Sequence, residues 1–255
     1  MRVAFIGKGG AGKSAIAGIF CRLLARETDR PVVAIDSDPL PGLAISLGLP
    51  NADTPLPAEL VEKVGDDPST AKWELRPGTI ATEVVEQHAP LGGDGVRLLQ
   101  WGKLQGHVRV LMQSQEAFRL IVNELAETDI HLVGDLPGGT RQPFFGWGGF
   151  ADVLVVVAEA TPSSMLSAKR LANLSARKGK DGDQVIVAVA NKVQDPGDAA
   201  RLADFSGLRV IGSIPRDPAI GAAERVGASL LDHAPASPAI EAVRSLVDAV
   251  GREAR

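Results

Sequence analysis

Residues 7–14 read Gly7, Lys8, Gly9, Gly10, Ala11, Gly12, Lys13, Ser14; an apolar run at 2–6 precedes them and a helical pattern over 13–27 follows. Glycine, four residues, glycine, lysine and serine between a strand and a helix spell a phosphate-binding loop. Each part answers a physical need. Glycines let successive backbone N–H groups curl around phosphate oxygens, and the helix beginning at Lys13 adds the positive end of its dipole to the same anion. Lys13 is placed to meet the β- and γ-phosphates. The Ser14 hydroxyl is placed to meet Mg2+, which takes the rest of its shell from water and phosphate oxygens. Gly7, Gly9, Gly10, Ala11, Gly12, Lys13, Ser14 and Ala15 are therefore the expected nucleotide contacts.

Outward from the loop, short apolar runs ending in Gly or Asp alternate with longer segments of helical spacing. That pattern belongs to a parallel sheet covered on both faces. Strands are predicted at 2–6, 31–36, 96–100, 130–135, 153–157, 185–190 and 209–214, and helices at 13–27, 114–127, 163–178, 199–205, 219–226 and 238–250. The fold class is α/β, a three-layer, doubly wound, mainly parallel sheet in one domain over 1–255. Residues 50–95 interrupt the alternation with proline and charge, and their clearest helical patch is 57–64. This segment reads as an irregular insertion, either a partner-contacting excursion or a solvated loop. Gly138 to Gly149 is glycine-punctuated and carries Phe144, Phe145 and Trp147. It is either a hinged switch or interface, or a set of aromatics closing over a core edge.

Composition narrows the function. The chain has 255 residues, one cysteine and four histidines, so neither a disulfide framework nor a zinc ribbon can be assembled from it. Lys plus Arg number 27 against 31 Asp plus Glu, a net charge of -4 that offers no overall attraction to nucleic acid or anionic lipid. No stretch approaches the roughly 20 apolar residues of a membrane span, and the N-terminus runs straight into a strand rather than a signal peptide. The expectation is a cytoplasmic protein with no membrane partner and no nucleic acid partner. Cys21 lies at the edge of the arc made by Ile16, Phe20, Leu23 and Leu24, where a small buried hydrophobe fits.

Three further places carry chemistry. Asp36 and Asp38 lie beyond the end of the second strand, beside the phosphate crevice, where a metal and an attacking water must be held. The alternative is that one of the two merely caps the helix beginning near Leu40. Asp135 ends the fourth strand, placed to act on Mg2+ through water, and Gly138 can present its N–H to a γ-phosphate. Asn191, before Lys192, offers a side-chain amide that matches the donor and acceptor edge of adenine. Residues 191–194 lack the aspartate of the Asn-Lys-x-Asp guanine motif, so ATP is preferred over GTP.

Lys8 makes the resemblance specific. GKGGAGKS resembles the deviant Walker A of the P-loop ATPases that include the nitrogenase iron protein, MinD, ParA and metallocentre-assembly ATPases. That resemblance implies an ATP-dependent homodimer with nucleotide sandwiched between the copies, in which Lys8 crosses to the partner's phosphates as a catalytic charge. A lysine at the leaving oxygen stabilises charge that grows only as the bond breaks. It also implies switch I at Asp38, with that residue positioning the hydrolytic water and Asp36 supporting Mg2+ or the loop, and switch II at Asp135 and Gly138, whose DLPGGT is similar to the DLPPGT of Mrp proteins. Pro215 and Arg216 resemble the IPRD segment that packs along adenine.

The middle of the chain is similar to the CooC group of carbon monoxide dehydrogenase maturation ATPases, through PAELVEKVG at 57–65, WELRP at 73–77 and VRLLQWGKLQG at 96–106. The nickel-binding members of that group place a Cys-x-Cys pair shortly after this strand; residues 106–112 here contain His107 and Met112 but no thiol. The resemblance implies a Mg-dependent ATPase that drives maturation or assembly of a client protein, without nickel. The alternative is a ParA- or MinD-like positioning ATPase that binds DNA or another surface. Against it stand a modest cationic cluster, Lys169, Arg170, Arg177, Lys178 and Lys180, and a last helix whose stripe Ile240, Val243, Leu246, Val247 and Val250 suits core packing better than a membrane.

Overall fold

The computed structural model describes residues 1–38, 42–49, 54–65, 72–101, 108–139, 146–177 and 184–254. Seven parallel strands form the central sheet: β1 (Arg2–Ile6), β2 (Val32–Asp36), then, past two short strands, β5 (Arg97–Gln100), β6 (His131–Asp135), β7 (Val153–Ala158), β8 (Val185–Val193) and β9 (Val210–Pro215). Their order is β5-β2-β6-β1-β7-β8-β9. The seven predicted strands are these seven, displaced by at most a few residues at their ends.

Side chains alternate along each strand, so one strand serves two cores. Val3 and Phe5 of β1 pack into one cluster and Ala4 and Ile6 into the other. The first core is covered by α1 (Lys13–Glu27) and α9 (Pro238–Glu253), with α2 (Leu43–Ser46), α7 (Pro218–Arg225) and α8 (Leu230–His233) along it. The second lies under α3 (Ala81–His88), α4 (Val108–Ala126), α5 (Pro162–Arg177) and α6 (Asp198–Ser206). This is the three-layer arrangement the pattern predicted. α9 starts at a Ser237 cap, with Pro238 in its first turn, and buries Ile240, Val243, Leu246, Val247 and Val250 as its stripe required. Among the described residues no helix is long and apolar enough to cross a membrane.

The 50–95 region departs from its reading. The predicted helical patch at 57–64 is a single 3-10 turn, Ala58–Leu60, running into β3 (Val61–Val64), which pairs antiparallel with β4 (Lys72–Leu75). Eight residues with apolar positions at 60, 61 and 64 satisfy a helical and an extended pattern alike. Pairing of Val61 with Leu75 decides between them. α3 was not anticipated; it buries Ala81, Val84 and Val85 against the second core. α4 begins six residues before its predicted start at 114. Ser114 lies within that helix and gives its hydroxyl to the Leu56 carbonyl at 2.7 Å.

Candidate functional site

The phosphate loop leaves β1 through backbone that only glycine adopts cheaply. Gly7 has φ +143°, and a Cβ there would lie 2.4 Å from the Val157 carbonyl oxygen. Gly12 is the cap residue of α1 at φ +96°, and no side chain caps the helix. The N–H groups of the first turn thus remain available to an anion. Lys13 is buried, 7% exposed. Gly138, from the loop after β6, approaches so closely that a Cβ would meet the Gly9 nitrogen at 3.0 Å.

Two strand ends, those of β2 and β6, bring the carboxylates to the loop. Asp36 is fully buried, and its two oxygens accept the backbone N–H groups of Asp38 at 3.1 Å, Gly42 at 3.1 Å and Leu43 at 3.0 Å. It therefore orders the turn into α2, the loop role that stood beside Mg2+ in its reading. Burial pushes its carboxyl up to about 6 against those three donors. Asp135 is pushed up to about 7 by burial first and the Asp36 charge second, while the Ser14 hydroxyl bond and Lys13 pull the other way. Its Oδ1 is buried with no hydrogen-bond partner. A hydrated Mg2+ beside Ser14 fits this set, because it would supply the positive charge and the water donor that these carboxyls lack. Asp38 stands half-buried at the loop's edge, with its N–H held by Asp36.

From the phosphate loop a cavity of about 640 Å³ runs past Ser14 and Ala15 to Asn191, Pro215 and Arg216. The residues chosen for phosphate and for base thus line one space. Asn191 is 4% exposed and donates its Nδ2 to the Ala11 carbonyl at 2.6 Å, while its Oδ1 is buried and unpartnered. The bond to the loop orients the amide and leaves Oδ1 without a partner. One of the amide's two N–H groups is thus engaged by the loop, while the second N–H and Oδ1 are the groups that a two-point contact with adenine would use. An acceptor still suits the 6-amino group of adenine and opposes the 6-oxo group of guanine.

Lys8 is exposed, and its Nζ donates to Ser163 Oγ of the same chain at 3.0 Å. Lys192 was passed over as an individual contributor, yet its Nζ lies 2.8 Å from the Gly10 carbonyl and 2.8 Å from Glu159 Oε1. The Asn-Lys dipeptide was the available signal, and a lysine after a strand says nothing by itself about a carbonyl 182 residues away. Trp147 sits against Trp101 and Phe118, at centroid distances of 5.4 and 5.8 Å, and so closes a core edge. Phe144, Phe145, His107, Lys178 and Lys180 lie outside the described residues. Met112 is 56% exposed on α4. Cys21 is fully buried in the first core, where desolvation pushes its thiol far up and keeps it protonated.

A strand, a glycine loop gripping a helix N-terminus, buried carboxylates and a base cavity define a nucleotide-binding α/β domain. Residues 3–230 match the model of the CobQ/CobB/MinD/ParA nucleotide-binding domain, and the chain belongs to that family. It is similar to the carbon monoxide dehydrogenase accessory protein CooC of Rhodospirillum rubrum, 31% identical, with 92% of this chain and 91% of that protein covered. An uncharacterised ATP-binding protein of Methanocaldococcus jannaschii is 28% identical, covering 89% of this chain and 90% of its own. Among solved structures, a ParA family ATPase from Chlorobium tepidum superposes with a TM-score of 0.74 at 18% identity, over 96% of this chain and 97% of that one. The septum site-determining protein MinD of Pyrococcus horikoshii, complexed with Mg-ADP, gives 0.72 at 17%, over 97% and 94%. These two likenesses bear on the fold.

Proposed function

We propose that the chain is a cytoplasmic, Mg-dependent ATPase in which ATP binding pairs two copies and hydrolysis releases them, driving maturation or assembly of a client protein. The observation that carries this reading is the cavity joining the phosphate loop to Asn191, Pro215 and Arg216, whose lining residue Ser14 is hydrogen-bonded to the buried Asp135 with its raised pKa. The likeness to CooC over nine-tenths of both chains supports the client role. The chain's one cysteine is a core residue, so a CooC-like nickel site shared through thiolates has no counterpart in this proposal.

The loop N–H groups and Lys13 hold the β- and γ-phosphates. Asp38 orients a water for in-line attack on the γ-phosphorus and receives its proton. The bond from that phosphorus to the β–γ bridging oxygen breaks, and the electron pair leaves with ADP. Lys8 of the second copy meets the charge growing on that bridging oxygen. When bound, Mg2+ neutralises phosphate charge; Ser14 and Asp135 are the residues that would hold it, Asp135 through water. Asp36 keeps the first switch loop shaped, and Gly138 reports loss of the γ-phosphate to the second.

Phosphate release from ATP, measured with and without Mg2+, tests the activity. Slow Mg-dependent turnover that Asp38→Asn abolishes is expected; turnover indifferent to Asp38 contradicts the assignment. Client capture by the Asp38→Asn chain in ATP but not in ADP supports the maturation role. A salt-sensitive, ATP-dependent shift of random-sequence DNA would instead favour a positioning ATPase.

A further inference from the structure

Asn191 and Lys192 are consecutive in a strand, so their side chains would ordinarily point to opposite faces. Both nonetheless reach the phosphate loop, on successive carbonyls: Asn191 on Ala11 and Lys192 on Gly10. The register explains how. Ala190 pairs with Ser213 and Val193 with Pro215, three steps on β8 against two on β9, so a bulge lies between them. Lys192 takes up the extra residue with φ +55°, a left-handed backbone that a side-chain-bearing residue adopts at a cost. Glu159, just beyond β7, then holds the ammonium from its other side at 2.8 Å, and Glu159 has its own N–H fixed on Ser164 Oγ at 3.0 Å.

In a phosphate loop the N–H groups face the anion and the carbonyls must face away. A carbonyl turned inward would repel phosphate oxygens. Gly10 has φ +80° and no side chain, so within the loop the adjoining peptide is held against a flip by the long Ala11 N–H bond to the Lys8 carbonyl, at 3.2 Å. We infer that Lys192, aimed by the bulge and steadied by Glu159, is a positioning residue for phosphate recognition that fixes the Gly10 carbonyl outward. This rests on the nucleotide reading above and adds to the phosphate machinery two residues that lie outside the loop motif.

The test is calorimetric titration of the full chain with MgADP, alongside melting of the nucleotide-free protein. Lys192→Gly relieves the left-handed backbone, so its melting temperature should stay within about 2 °C of wild type while MgADP binds roughly tenfold more weakly. Lys192→Met should show the same loss if the glycine chain fails to fold, and Lys192→Arg should recover most of it. Glu159→Gln sets the sign. A positioning role predicts binding about threefold weaker, whereas a lysine that contacts phosphate directly would be freed and bind more tightly. Lys192→Gly or Lys192→Met binding within twofold of wild type, or tighter binding by Glu159→Gln, overturns the inference alone. Absence of MgADP binding by the wild-type chain overturns the nucleotide reading and this inference with it.

Discussion

Lys8 donates its ammonium to Ser163 Oγ at 3.0 Å within its own chain, on the first turn of α5 and outside the cavity that Lys13 lines. The two lysines of one motif therefore stand in separate surroundings. Lys8→Ala should bind MgADP within about twofold of wild type, because that lysine does not line the nucleotide cavity. Its ATP turnover should fall roughly a thousandfold, the range of a charge that a second copy supplies in trans. Equilibrium titration beside a phosphate-release assay separates the two. Turnover unchanged in Lys8→Ala removes the trans-acting role.

Asn191→Ala strips the Ala11 carbonyl of a buried donor and the cavity of an acceptor. The first loss should cost about 1–3 kcal/mol of stability, read by urea unfolding. The second should narrow the preference for ADP over GDP, read by competitive titration. A variant that loses stability but keeps full preference assigns base discrimination elsewhere.

Asp36 and Asp135 have folded-state pKa values raised from 3.8 to about 6 and about 7. For carboxyls raised on folding, the native state holds more protons than the unfolded one. Their contribution is fully present below pH about 4 and is lost as pH rises through 6 and 7. His131 and the N-terminal amine, both lowered by burial, run the opposite way, so the signal is the difference from a matched variant. Between pH 5 and 8 the nucleotide-free wild type should lose melting temperature relative to Asp135→Asn, and Mg2+ with ADP should restore it more at pH 8 than at pH 5. Parallel pH profiles for the two chains contradict this assignment.

Arg22 is 4% exposed on α1 and grips Asp94 at 2.6 Å and Asp232 at 2.6 and 2.8 Å. It joins the turn before β5 to α8, whose Leu230 lines the nucleotide cavity. Asp94 takes a left-handed φ of +57° to reach it. Arg22→Met keeps the apolar stem but leaves Asp94 to Arg26 alone and Asp232 to solvent, at a cost of about 1 kcal/mol or more in denaturant unfolding. A loss below about 0.5 kcal/mol would show that the network is carried by solvent.

How far the residues alone reach depends on what fixes each feature. β1, the loop and α1 were legible because the glycines, the lysine and a 3.6-residue apolar period all act locally. The buried strands announced themselves as continuous apolar runs, and Cys21 as part of an apolar arc. The 57–64 patch was misread because Val61 becomes a strand residue only when Leu75 arrives across from it. α3 escaped because its β-branched Val84 and Val85 have weak helical preference and are held by the second core. The Lys192 clamp depends on a one-residue bulge between β8 and β9, and periodicity carries no trace of register. The orientation of Asn191 likewise follows from a carbonyl 180 residues distant.

The central claim, that ATP closes two copies around the phosphate loops, is tested most directly by light scattering of the hydrolysis-blocked Asp38→Asn chain. With MgATP it should have twice the mass of one chain, with MgADP the mass of one, and the added Lys8→Ala change should return the ATP form to one. The same mass in both nucleotides, or an ATP-bound pair that survives Lys8→Ala, would contradict the account.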